Sequence, residues 1–104
     1  MNKITSTTDY FKSIKHQNVV IYFTQFDTTS NIDIQLEELA NDYSSLGVYF
    51  TSIDIDEFPL LQLPLMKPNN IPCFMFIQDG FEIGTTKGTN INIVEKIIQN
   101  YFLG

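Results

Sequence analysis

Residues 70–80 read Asn70-Ile71-Pro72-Cys73-Phe74-Met75-Phe76-Ile77-Gln78-Asp79-Gly80. The run Cys73–Gln78 is mostly apolar and short, with a proline before it and Asp-Gly after it. Length and punctuation of this kind predict a strand covered on both faces. Asp79-Gly80 suits a two-residue hairpin loop, because the favoured turns need positive φ, which Gly and Asp tolerate best. Phe81–Lys87 then forms the returning antiparallel strand, and Gly88 breaks the pattern.

Working towards the N-terminus, Val48–Ile55 reads as another strand. Asp56 to Met66 is ambiguous: its leucines suit a helix, but Pro59 and Pro64 limit that helix to about one or two turns. Before these lies a helix whose apolar residues, Ile32, Leu36, Leu39, Ala40 and Tyr43, recur at three- and four-residue steps. Glu37, Glu38, Asn41 and Asp42 fall on its water side, and Gly47 ends the region. Val19–Phe23 is a continuous β-rich run, the mark of a strand buried in a parallel sheet. Thr8–His16 has helical spacing at Tyr10, Phe11 and Ile14, with a cap between Ser6 and Thr8. Beyond the hairpin, Asn90 can cap a last helix with Val94, Ile97, Ile98 and Tyr101 on one face.

The order α, β, α, β, short α, β-hairpin, α predicts an α/β fold. A mixed sheet of four to five strands is covered by helices on both faces. At 104 residues the chain suits a single domain, residues 1–104, and 43% apolar content is globular. The net charge of -6 argues against direct nucleic-acid or anionic-membrane partners, since phosphate binding is driven by Lys and Arg. The basic residues are scattered along the sequence. The opening residues carry no apolar h-region, and the apolar runs are too short to span a bilayer. The expected location is cytoplasmic or nuclear. Cys73 is the single cysteine, so no intramolecular disulfide can form.

The order and four local matches resemble the thioredoxin family along nearly the whole chain. Val19–Phe23, followed by a loop and a long helix, is similar to the strand leading to that family's active site. Ile53-Asp54-Ile55-Asp56-Glu57-Phe58-Pro59 resembles its second parallel strand and the turn after it. Asn70-Ile71-Pro72 and the strand beyond resemble its cis-proline loop. Gln78-Asp79-Gly80 and Gly88 match its hairpin and the glycine that follows. The resemblance implies that Pro72 is cis and that Ile71 offers backbone groups to an extended peptide.

The departures bear on activity. The family's Cys-x-x-Cys site is replaced by Thr24-Gln25-Phe26-Asp27-Thr28-Thr29-Ser30-Asn31, and the chain has no tryptophan. Asp27 and Ser30 align best with the two sulfur positions, and Tyr22 takes the place of a buried acid. Dithiol exchange needs an attacking thiolate and a resolving thiol within reach of each other, so no dithiol disulfide-reductase activity is expected.

The degenerate loop Phe26, Asp27, Thr28, Thr29 and Ser30 reads either as a partner-contacting surface anchored by Phe26 or as helix-capping hydroxyls. The segment Ile71, Pro72 and Cys73 reads either as a peptide-binding loop or as a structural turn. Cys73 is a small core residue at a strand start or, as a functional group, a lone thiol forming mixed disulfides or a glutathione adduct. No Lys or Arg near it in sequence lowers its pKa. His16 lacks the partners of a triad or metal site and reads as a helix-end residue. Asp54, Asp56 and Glu57 suit a solvated turn better than a cation loop. Gly84 and Gly88 have no phosphate-loop context. No metal or cofactor is expected. The first expectation is a non-redox binding module for a protein or peptide partner, as a monomer or weak homodimer. The alternative is a redox protein working through Cys73 alone.

Overall fold

The computed structural model describes residues 2–24, 32–56 and 72–104. Five strands form one sheet: β1 (Asn2–Lys3), β2 (Asn18–Thr24), β3 (Val48–Asp54), β4 (Cys73–Gln78) and β5 (Phe81–Lys87). Their spatial order is β1-β3-β2-β4-β5. Strands β1, β3 and β2 run parallel, β4 is antiparallel to β2, and β5 is antiparallel to β4. The helices are α1 (Thr7–Ser13), α2 (Ile32–Ser44) and α3 (Ile91–Ile97), the last continuing into a π-helical turn, Ile98–Phe102. The thioredoxin fold and its mixed sheet are as expected, with five strands. The predicted short helix falls outside the described residues except for Asp56.

Side-chain alternation divides the core in two. Val20, Tyr22, Val48, Phe50, Phe74 and Phe76 face α2 and α3. Val19, Ile21, Phe23, Ile53, Cys73, Met75 and Ile77 face the other way, with Ile4 and Tyr10. Because successive strand residues point to opposite faces, a run that is apolar at every position must be covered twice. Strand β2 is buried from Asn18 to Phe23. Full burial of a large apolar side chain is worth about 1.5–3 kcal/mol, and Phe23, Phe74 and Phe76 are all fully buried.

Local signals set the element ends. The Ser6 hydroxyl accepts the Asp9 N–H at 3.1 Å and starts α1. The Asn90 side-chain oxygen accepts the N–H groups of Asn92 and Ile93 and starts α3. The hairpin turn places Asp79 at φ 53° and Gly80 at φ 86°, the left-handed pair that its loop requires. The α2 stripe of Leu36, Leu39, Ala40 and Tyr43 is buried. The Tyr43 hydroxyl donates to Glu95 Oε2 at 2.8 Å, and Gln99 Nε2 donates to that hydroxyl at 2.9 Å, tying α2 to the C-terminal helix.

Three expectations need correction. Strand β1 went unread, because two polar residues have no periodicity. Its pairing with Thr51 and Ser52 creates it. Helix α1 ends at Ser13, so His16 lies beyond it, with its ring stacked on Tyr49 at 3.9 Å. Tyr101 is 65% exposed and does not share the buried face of Val94 and Ile98. The wider π turn rotates it outward and brings Phe102 against Phe76, with ring centroids 6.2 Å apart.

Candidate functional site

Four strand ends line up along one end of the sheet. Lys87 pairs with Cys73, Cys73 with Phe23, and Thr24 with Asp54. The chain leaves β2 and enters β4 at this edge, so the two loops singled out by the sequence connect here. Phe26, Asp27, Thr28, Thr29, Ser30 and Ile71 lie outside the described residues.

Pro72 is half-buried, and its carbonyl accepts the Gly88 N–H at 2.8 Å. That bond carries the β4–β5 pairing past Cys73 and fixes where Pro72 enters the sheet. Gly88 holds φ +77°, a conformation costly for most side chains, which explains a glycine there.

Cys73 is 2% exposed and belongs to the core on the α1 face. Burial pushes its thiol up to about 11, because desolvation disfavours the thiolate. Its cross-strand partner is Lys87. No sequence motif marks this cation, since the two residues meet only through the hairpin register. Lys87 is exposed while the sulfur is buried, and burial dominates. At neutral pH the sulfur is a protonated thiol, the weak form for nucleophilic attack.

Tyr22 stands on the opposite face, 3% exposed, with its ring stacked on Phe74 at 4.8 Å. An aromatic layer therefore fills the position where the resemblance puts a carboxylate. Asp54 is 7% exposed, and its Oδ1 accepts the Asp56 N–H at 2.9 Å, closing the turn after β3. Glu57 is outside the described residues. Among the described residues no group of His, Cys, Asp and Glu is placed to hold a metal ion. No helix there is long and apolar enough to cross a membrane.

Sequence reasoning missed a cavity of about 450 Å3 between α2 and the start of α3. Glu38, Leu39 and Asp42 line one wall, and Asn90, Ile91 and Glu95 the other. Only the packing of two helices distant in sequence creates it, so no motif marks it.

No family model matches the chain, and no curated protein does. Solved structures do. Oxidised mitochondrial thioredoxin 3 from Saccharomyces cerevisiae superposes with a TM-score of 0.81 at 27% identity, over 96% of this chain and 94% of that one. Oxidised thioredoxin from Plasmodium falciparum gives 0.81 at 20% identity, over 97% of each chain. Fasciola hepatica thioredoxin gives 0.77 at 24% identity, over 97% of this chain and 99% of its own.

Proposed function

We propose that this chain, thioredoxin-like, with a single cysteine and no Cys-x-x-Cys pair, is a protein- or peptide-binding module that does not carry out dithiol exchange. The observation that supports this most is Cys73: the only thiol is 2% exposed and raised to about 11. Without a second sulfur there is no resolving step, and a buried neutral thiol is a poor attacker. The reading rests on the strand end at Pro72: there, as the resemblance implies, an extended segment would pair backbone to backbone with Ile71, and Phe26 to Ser30 would supply further contacts. In this mode main-chain hydrogen bonds supply affinity and shallow apolar contacts supply selectivity. The same reading places the protein among cytoplasmic or nuclear binding domains.

Two assays test this. In the first, reduction of a disulfide in a model protein is followed with the native chain and with Cys73→Ser. No turnover above background is expected from either. Turnover that Cys73→Ser abolishes would make Cys73 a catalytic thiol and overturn the reading. In the second, the chain is applied to immobilised extended peptides. Binding should survive Cys73→Ser and fall on Pro72→Ala and Phe26→Ala. Binding indifferent to both would move the interaction away from this edge.

A further inference from the structure

Strand β5 ends one side of the sheet, and among the described residues no strand pairs with its far side. The ladder fixes which backbone groups lie there. Gly88 donates to the Pro72 carbonyl, so by alternation Thr86 and Gly84 bond to β4. The N–H and C=O of Thr85 and Lys87 then point away from β4, and both residues are exposed. The strand also carries two exposed apolar side chains, Phe81 at 75% and Ile83 at 42%. Open backbone groups beside apolar side chains are a template for another strand.

The charges select which strand. Glu82 stands opposite Ile77, and Lys87 opposite Cys73. Ile77 and Cys73 both belong to the α1 face, so Glu82 and Lys87 share that face. Tyr10, packed on the same face, bears this out: its phenol is held above the usual range by burial first and by the Glu82 charge second. Strict alternation would put residues 82 and 87 on opposite faces. The bulge at Ile83, which has no partner on β4, breaks the alternation and brings the two charges to one side. Strand β5 thus has a negative end and a positive end on a single face.

We propose that β5 is the interface of a homodimer, in which two copies pair edge to edge and antiparallel into one continuous sheet. A two-fold axis sets each residue i against j and each j against i, so the negative end of each strand meets the positive end of the other. With Thr85 on the axis, its outward groups bond to those of its own copy. Lys87 of each chain then lies across from the bulge at Glu82 and Ile83 of the other. Its ammonium pairs with the carboxylate, and its apolar stem covers Ile83. This interface runs along the far side of β5, whereas the peptide-binding reading concerns the strand end at Pro72, so each stands or falls on its own measurement.

The test is sedimentation velocity over a concentration series. The native chain should show a reversible monomer–dimer equilibrium. Glu82→Lys and Lys87→Glu should each raise the dissociation constant by about tenfold, because each turns two weak attractions into two repulsions. Glu82→Lys should do so although it brings the net charge of -6 closer to zero. An equal mixture of the two single variants should regain dimers, since each chain then meets its opposite at both ends. Thr85→Pro removes an outward N–H and leaves the β4 ladder intact, so it should give a monomer whose dispersed NMR spectrum shows it folded. A native chain that stays monomeric at millimolar concentration would overturn the proposal. So would dimers indifferent to Thr85→Pro, or charge-reversed variants that do not recover on mixing.

Discussion

The two faces of the sheet are built from the same strands and do different work. The α2–α3 face carries Tyr22, Phe74 and Phe76. Its helices are tied together by Tyr43, Glu95 and Gln99. The α1 face carries Phe23, Met75 and the only thiol. Neighbouring residues Phe74 and Cys73 therefore sit in separate cores. In a thioredoxin-like chain this matters, because the position that resembles the buried acid has become part of an aromatic layer on one face. The remaining sulfur has become packing on the other. Both positions are filled by core material, which stabilises the sheet on each of its faces.

The largest test of that comparison is one truncation per face. Phe74→Ala should cost about 3–5 kcal/mol and Met75→Ala about 2–5 kcal/mol, both read from urea denaturation. If the faces form one cooperative unit, far-UV circular dichroism and tyrosine fluorescence will give coincident transitions in both variants. Separate transitions would break the picture of two cores sharing one sheet.

Backbone geometry comes next. Gly47 holds φ +87° after α2, with nothing within 4 Å of where a Cβ would stand. Gly47→Ala should therefore be destabilised by about 1–2 kcal/mol from left-handed strain alone. A neutral result would mean that the turn can shift. The caps sharpen the comparison at lower magnitude. Ser6→Ala on the α1 face and Asn90→Ala on the α3 face should each cost about 1 kcal/mol. Tyr43→Phe, which removes a hydroxyl bonded to Glu95 and Gln99, should cost about 0.5–1.5 kcal/mol.

The smallest effect at neutral pH belongs to Cys73. Its folded pKa, about 11, lies above that of an unfolded thiol. The unfolded chain loses this proton first, so the contribution is full below about pH 8.5 and is lost as pH rises through the folded value. The stability difference between the native chain and Cys73→Ala should thus shrink between those limits. Alkylation of the native thiol should be slow at pH 7.5 and should become fast in denaturant. Rapid native alkylation would expose the sulfur and revive the single-thiol reading.

The strands and the stripe of α2 were legible because their patterns are local. Cys73–Gln78 and Phe81–Lys87 were bounded correctly by Pro72, Asp79-Gly80 and Gly88. What escaped depends on contacts distant in sequence. Strand β1 exists only by pairing with β3. Tyr101 turns outward because a π turn replaces the expected period. Lys87 meets Cys73 through strand register, and Lys3 meets Lys12 through the packing of α1 near the sheet edge. At the candidate site the reading of Cys73 as a small core residue agrees with its 2% exposure, because a strand covered on both faces buries its first residue whichever way it points.

The seam between β2 and β4 has a kinetic consequence. Its side chains join residues as far apart as Asn18 and Gln78, sixty positions along the chain. The β4–β5 hairpin and the β2–α2–β3 unit each close over much shorter distances. Closing the longer loop costs more entropy before any contact repays it. The two halves should therefore organise separately and meet late, with the central seam of the finished sheet among the last parts to form. Folding and unfolding rates of Ile21→Val and Phe76→Leu will show this as effects mainly on unfolding. A slowed folding rate would instead place the seam in the nucleus.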